Sequence, residues 1–240
     1  MFLTTNKMAS VFSETAKKKA YYGILYGFEV CAAPIIKIIF KMYARVHIIN
    51  RDVLHNIAVP YIVVANHASY ADPFLLGAVP TFMQSLRFAP YCFMTHPKYL
   101  RLPVFGNIIR LIGAFPVFPK AEGGLEDALA VAKTILEEKK SSMVVFPEGK
   151  RSDKHYHHAA RPGIAYLVKK FPDRVIVPMY IHNSRSLRPW RLFFLRPRVT
   201  VIIGKPFTCR DIDGEQKDNI ALAQEIMKRV TNLEKKEKVV

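Results

Sequence analysis

"YIVVANHASYADPFLL", Tyr61 to Leu76, decides how the chain is read. Its first half is a short β-branched apolar run, the texture of a buried strand. The run stops at Asn66-His67. Asp72 then precedes Pro73 and a new apolar stretch. An Asp before Pro suits a helix N-cap with Pro at the first helical position. A strand that turns into a helix through a few polar residues is one unit of an α/β sheet, and in such sheets sites gather beyond the strand ends.

The spacing of His67 and Asp72 has two readings. In one, Asp72 caps the helix and His67 is a turn residue. In the other, the turn folds His67 back onto Asp72. The carboxylate then fixes the imidazole tautomer, and the other ring nitrogen can take a proton from a hydroxyl. That hydroxyl can belong to a substrate, so the second reading needs no protein nucleophile.

The unit repeats along the chain. "YCFMT" (91–95), "SMVVFPEG" (142–149), "RVIVPMYI" (174–181) and "RVTVIIG" (198–204) read as further buried strands. Between them, Gly124 to Lys139 places Leu125, Ala128, Leu129, Ala132, Ile135 and Leu136 at helical spacing. Pro162 to Lys169 and Asp218 to Lys236 also read as helices. The expected fold is α/β: a mixed, largely parallel sheet covered by helices on both faces. Polar residues mark three strand ends: Asn66-His67, Glu148-Gly149 and His182-Asn183.

Before this domain lies a different texture. Ala20 to Ile49 is strongly apolar but carries Glu29, Pro34, Lys37 and Lys41. Glu29 is costly in hydrocarbon without a partner, and Pro34 is expected to kink or split a helix. One or two interfacial helices fit best. A spanning helix and a soluble helix pair remain as alternatives. No compact apolar run with a small-residue cleavage site marks a signal peptide. The division expected is residues 1–50 as a helical membrane-interface segment and 51–240 as the α/β domain.

The 240 residues are half hydrophobic, which excludes a disordered chain. The net charge of +17 favours an anionic partner. The charge is uneven: Ser184 to Arg210 holds seven basic residues and no acid. Trp190, Phe193 and Phe194 sit among those arginines, a mixture that suits a lipid headgroup region or an ordinary basic surface. Cys31, Cys92 and Cys209 have neither metal spacing nor a disulfide pattern. "HYHH", 155–158, reads as an exposed loop rather than a metal site. No glycine-rich nucleotide loop and no nucleic-acid-binding motif accompanies the charge.

Two other stretches carry candidate chemistry. In "FPEGKRS", Phe146 to Ser152, Gly149 allows a close backbone approach, Arg151 can hold a phosphate in bidentate fashion and Lys150 adds a point charge. A charged turn with a local Glu–Arg pair is the plainer alternative. "YLRLPVFGNIIRLIGAFPVFPK", Tyr99 to Lys120, sets Gly106 and Arg110 in an apolar context, either an amphipathic helix feeding a strand or the wall of an apolar tunnel.

Four blocks in order, N-H-x-x-x-x-D (66–72), F-G-x-x-x-R-x-x-G (105–113), F-P-E-G-x-R-S (146–152) and V-P-M-Y-I (177–181), resemble those of the glycerolipid acyltransferases. The bacterial 1-acyl-sn-glycerol-3-phosphate acyltransferases are the nearest match. The resemblance covers roughly residues 55–205 and implies a membrane-associated enzyme of phospholipid biosynthesis. Such an enzyme moves an acyl chain from coenzyme A or acyl carrier protein to the sn-2 hydroxyl of 1-acylglycerol-3-phosphate, giving phosphatidic acid.

His67 would be the general base and Asp72 its orienting partner. Glu148, Gly149, Lys150 and Arg151, with Gly106, Arg110 and Lys120, would bind the acceptor. Val177 and Pro178 fall in a block linked to structure and the acyl chain. No metal, no other cofactor and no nucleic acid is expected. The place implied is the cytoplasmic face of the inner (plasma) membrane, against anionic lipid. Another lysolipid acceptor, or a non-catalytic membrane-binding role, is the alternative.

Three positions depart from the family pattern. Lys150 stands where Thr is commoner, His96 where lysine is frequent, and an arginine after the second block is missing, with Lys120 the nearest cation. These bear on the phosphate contacts and leave His67 and Asp72 untouched.

Overall fold

A computed structural model describes residues 15–116, 124–137, 141–152, 158–187 and 196–237. Lys120, His155, Tyr156, His157, Trp190, Phe193 and Phe194 lie outside the described residues.

Seven strands form one sheet: β1 (Arg45–Ile49), β2 (Ile62–Ala65), β3 (Tyr91–Thr95), β4 (Ala114–Pro116), β5 (Ser142–Val145), β6 (Ile176–His182) and β7 (Arg198–Ile203). Their order is β1-β7-β6-β2-β5-β3-β4, and every pairing is parallel except β6 with β7. The mixed, largely parallel α/β sheet expected from the sequence is present.

Side-chain alternation sends β-branched residues to both faces. Ile62, Val64, Met143, Val145, Ile176 and Ile202 pack under α6 (Gly124–Glu137), α7 (Gly163–Lys170) and α8 (Asn219–Thr231). On the other face, Val63, Ala65, Val144, Val177, Met179 and Val201 pack with Leu75 and Leu76 of α2 (Asp72–Ala78), Phe88 of α3 (Phe82–Phe88), Leu100 of α4 (Pro97–Leu100) and Ile109 of α5 (Phe105–Leu111). A short α9 (Glu234–Glu237) closes the chain's described part.

Helix α1 runs from Thr15 to Tyr43 without a break, so Pro34 does not split it. Arg45–Ile49, expected to continue the helical segment, is instead the edge strand β1, paired with β7 alone. Its β-branched residues blend into the apolar run before it, and one-sided pairing leaves no alternating signature. β4 is the strand fed by a helix in one of the two readings of Tyr99 to Lys120; it is a three-residue edge strand ending in Pro116, where a missing N–H is tolerated.

Gly23–Tyr43 is long and apolar enough to cross a membrane by length and composition. It is nevertheless fastened to the domain. Leu25 and Ala33 are buried, and the Glu29 carboxylate oxygen Oε2 accepts the Tyr91 N–H at 2.7 Å. Ile24, Ile35, Ile38, Ile39 and Met42 are left exposed.

Because β2, β5 and β6 are parallel neighbours in register (Val64 beside Val145, Ala65 beside Met179), their C-terminal ends open at one edge. The segments bearing Asn66-His67, Phe146 to Ser152 and His182-Asn183 therefore leave the sheet side by side.

Candidate active site

Asn66 continues the sheet by one step. Its side chain donates Nδ2–H to the Ile181 carbonyl at 3.0 Å and accepts the Ile181 N–H at 2.7 Å. A buried amide that pairs both its groups with a neighbouring strand fixes where the next residue leaves the sheet. That residue is His67.

The main chain of His67 is held on both sides. Its N–H donates to Glu148 Oε1 at 2.9 Å. Its carbonyl accepts the Ser152 N–H at 2.7 Å and the Ser152 hydroxyl at 2.9 Å. Arg185 donates in turn to the Ser152 carbonyl. The ring lies on Phe146, with centroids 4.4 Å apart and planes at 25°.

His67 Nδ1 lies 2.9 Å from Asp72 Oδ2. The same oxygen accepts the N–H groups of Ala68 and Ser69, both at 2.7 Å. Two main-chain N–H groups already converge on this oxygen, which marks it as an acceptor, so the ring is assigned the tautomer that donates Nδ1–H to it and keeps the lone pair on Nε2. Among the described residues Nε2 makes no hydrogen bond. The His67 side chain is 19% exposed and that of Asp72 is fully buried.

This arrangement separates the two readings of the spacing. Asp72 is the first residue of α2, and the N-cap position, Ala71, makes no side-chain cap bond. The carboxylate reaches back into the turn, not forward into the helix. Asp72 closes the loop 67–72 and orients the imidazole. Among the described residues its Oδ1, also buried, has no hydrogen-bond partner.

The third block sits against this loop in an unexpected way. Glu148 is buried and both its oxygens hold main chain: Oε1 the His67 N–H, Oε2 the His158 N–H at 3.0 Å. It therefore positions His67. The local Glu148–Arg151 pair is not formed. Arg151 instead crosses the loop, with Cζ 3.6 Å above the Tyr70 ring and Nη2 donating to the Tyr70 hydroxyl at 2.8 Å. Gly149 has φ +65°, a backbone conformation that favours glycine; a Cβ there would come within 2.7 Å of the Arg161 side chain, which is long enough to move aside. Lys150 is exposed.

Gly106 and Arg110 build the α4–α5 corner. Any side chain at 106 would overlap the Leu100 carbonyl. Arg110 donates to that carbonyl at 2.6 Å and to Asn107 Oδ1 at 3.0 Å. Neither touches His67; the corner meets the His67 loop through Tyr99, whose hydroxyl is 3.1 Å from that of Tyr70. Gly113, with φ +83°, lies where a Cβ would overlap the Tyr91 carbonyl.

A family model described as Acyltransferase matches residues 45–182, which include His67, Asp72 and the third block. The chain belongs to the acyltransferase family. Relatives of this acyltransferase include two named 1-acyl-sn-glycerol-3-phosphate acyltransferase. The one from Streptococcus pneumoniae is 24% identical over 85% of this chain and 71% of its own length. The one from Saccharomyces cerevisiae is 29% identical over 65% of this chain and 50% of its own length. The crystal structure of the 1-acyl-sn-glycerophosphate (LPA) acyltransferase PlsC from Thermotoga maritima has the same fold. The match has a TM-score of 0.64 and 16% identity, covering 97% of this chain and 93% of that one.

Tyr70, Tyr99, Phe146 and Ser152 are the site residues that sequence reasoning did not assign. Tyr70 lies inside the His67–Asp72 block and Ser152 ends the third block, so both were in view. Tyr99 carries no local signal, because its contact with Tyr70 exists only in three dimensions.

Proposed function

We propose that this acyltransferase moves a fatty acyl chain from a thioester to the sn-2 hydroxyl of 1-acylglycerol-3-phosphate, giving phosphatidic acid. The observation that carries the reading is the Nδ1-protonated His67 held by buried Asp72, with Nε2 left to act. The acceptor hydroxyl gives its proton to Nε2 as its oxygen bonds to the thioester carbonyl carbon. The tetrahedral intermediate expels the thiolate, which takes the proton back from the imidazolium. Atoms and charge balance with no cofactor beyond the donor.

General-base assistance of this kind contributes roughly 10²–10⁴-fold. Asp72 acts by holding the tautomer and stabilising the transient imidazolium. Phe146, Glu148 and Ser152 hold the ring and its backbone so that little reorganisation is needed on approach of the substrate. Between α1 and α2, a cavity of about 50 Å³ is bounded by Ala33, Ile36, Phe74, Gly77 and Phe93. It lies next to the helix that begins at Asp72, is bordered also by Glu29, and has room for only a small part of an acyl chain.

The exposed isoleucines of α1 support a membrane-surface position rather than a span. A helix whose inner face holds Leu25, Ala33 and Glu29 in the domain cannot cross a bilayer without extracting them. In this reading α1 lies in the headgroup boundary of an anionic cytoplasmic leaflet, and the lysolipid presents its hydroxyl from there. The donor is acyl-coenzyme A or acyl carrier protein, both acidic and suited to the +17 chain.

The test is a mass-spectrometric screen of purified protein with several lysolipids and both donors. Phosphatidic acid with stoichiometric thiol is the expected product. Acylation of another lysolipid in preference would move the acceptor assignment. Vesicle binding with no thioester consumed would replace catalysis by a membrane-binding role.

A further inference from the structure

Position 96 holds a histidine, and that histidine presents no fixed cation. Its Nδ1 accepts the Lys98 N–H at 3.2 Å and caps α4. The cation stands two residues on. Lys98 Nζ lies 4.9 Å from the Tyr99 ring centroid. Tyr99 meets Tyr70 edge to face, with centroids 5.7 Å apart and planes at 75°. Tyr70 in turn carries the Arg151 guanidinium on its face and on its hydroxyl. Two phenols thus join two cations that lie far apart in the sequence, Lys98 and Arg151.

Arg151 can only donate, so Tyr70 accepts from it. The Tyr70 and Tyr99 hydroxyls, 3.1 Å apart, share a second hydrogen bond. Among the described residues no carboxylate pairs with Arg151 or Lys98. Lys98, Tyr70 and Arg151 are exposed. An anion approaching this face would meet an ammonium and a guanidinium edge. Because Tyr70 belongs to the loop that Asp72 closes, the group is tied to the imidazole.

We propose that Tyr70 and Tyr99 are positioning residues, a paired-phenol mount that sets Arg151 and Lys98 to receive the acceptor's phosphate monoester beside His67. The inference rests on the acyltransferase reading and deepens it, naming what distinguishes a phosphate-ended acceptor from a neutral one. The chemistry favours a dianionic phosphate. A guanidinium fork fits its oxygens in pairs, and the ammonium adds a point charge from the other side. Lys98 would supply the cation that position 96 lacks.

The test compares wild type with Tyr70→Leu, Tyr70→Phe, Tyr99→Phe and Lys98→Gln. Binding of 1-acylglycerol-3-phosphate and of phosphate-free 1-acylglycerol is measured in the same detergent micelles without donor. KM and kcat follow with donor. Tyr70→Leu removes both the ring face and the hydroxyl, and phosphate-ended lipid is expected to bind about tenfold more weakly. KM should rise with it, while kcat stays within about twofold. Tyr70→Phe keeps the face and should lose about threefold. Tyr99→Phe removes the hydroxyl that bonds to Tyr70 and should weaken the phosphate-ended lipid alone, as should Lys98→Gln. Binding of 1-acylglycerol should be the same in all five proteins.

Equal loss for both lipids, or no loss in Tyr70→Leu, overturns the proposal. Binding is read without turnover, so it decides the mount even if wild type transfers no acyl chain. Absence of turnover with phosphate-selective binding would remove the enzymatic reading and keep the mount.

Discussion

Glu29 offers a prediction whose size can be worked from the structure. It sits on the inner face of α1. Oε2 accepts the Tyr91 N–H, while Oε1 is buried with no partner. Burial raises its pKa from the ordinary 4.5 to about 8, only partly offset by the bond from Tyr91. Between those values the folded protein holds a proton that the unfolded chain has released. Stability is therefore highest below pH 4.5, falls as pH rises through the window, and levels off above about 8.

The whole shift corresponds to a cost on the order of 5 kcal/mol above the window, of which about 3 kcal/mol is already present at pH 7. Glu29→Gln keeps an acceptor for Tyr91 and cannot ionise. Its amide replaces the protonated carboxyl as the unpartnered donor. The variant should therefore be more stable than wild type by about 3 kcal/mol at pH 7 and about 5 kcal/mol at pH 9, with no difference near pH 4. Urea unfolding in detergent at the three pH values reads this directly. A stability difference that does not change with pH, or a less stable variant at pH 9, would refute the burial argument for this carboxyl.

Asp72→Asn should lower acyl transfer by roughly 10²–10⁴-fold, because an amide oxygen in the place of Oδ2 still accepts from Ala68, Ser69 and His67 but carries no charge to stabilise the imidazolium formed during the reaction. Its melting temperature and the turnover of a purified sample check this; retained activity would return Asp72 to a purely structural role. Gly113→Ala places a Cβ on the Tyr91 carbonyl at a positive φ and should cost about 3 kcal/mol or more, seen as a fall in the melting temperature of roughly 6–12 °C. An unchanged melting temperature would contradict the close approach of β3 and Gly113. The double variant Ile35→Asp with Ile38→Asp should weaken binding to anionic vesicles by about 10²-fold or more while leaving the unfolding midpoint near wild type, since both side chains are exposed. Equal loss of stability would mean that these residues serve the fold.

The central strands were legible because buried parallel strands read as continuous β-branched runs. Tyr91–Thr95 appeared with its full bounds and Ile62–Ala65 within a residue at each end. The edge strands were harder to read: β1 merged with the apolar segment before it, and β4, three residues long, was anticipated only as an unbounded strand after the helix in Tyr99 to Lys120. His67 and Asp72 were visible as a pair from spacing, but spacing could not tell a cap from an orienting carboxylate. The direction in which the Asp72 side chain turns settles that. Glu148 illustrates the limit in the other direction. The family resemblance implied that it binds the acceptor, yet its two oxygens are spent on the main chain of His67 and His158. Glu29 looked like a liability in hydrocarbon, and its partner proved to be a backbone N–H 62 residues away. Tyr70 was in view inside the His67–Asp72 block, but neither residue type nor spacing announces its contact with Tyr99, which stands on a separate helix.

The most direct measurement is thiol release from an acyl thioester by wild type and by His67→Ala, with the lysolipid acceptor saturating. The side chain is only partly buried and its main-chain bonds survive the change, so the variant should fold and bind acceptor as wild type does. Its rate should fall by at least about 10²-fold. A His67→Ala protein that releases thiol at the wild-type rate would contradict the assignment of the imidazole as the base.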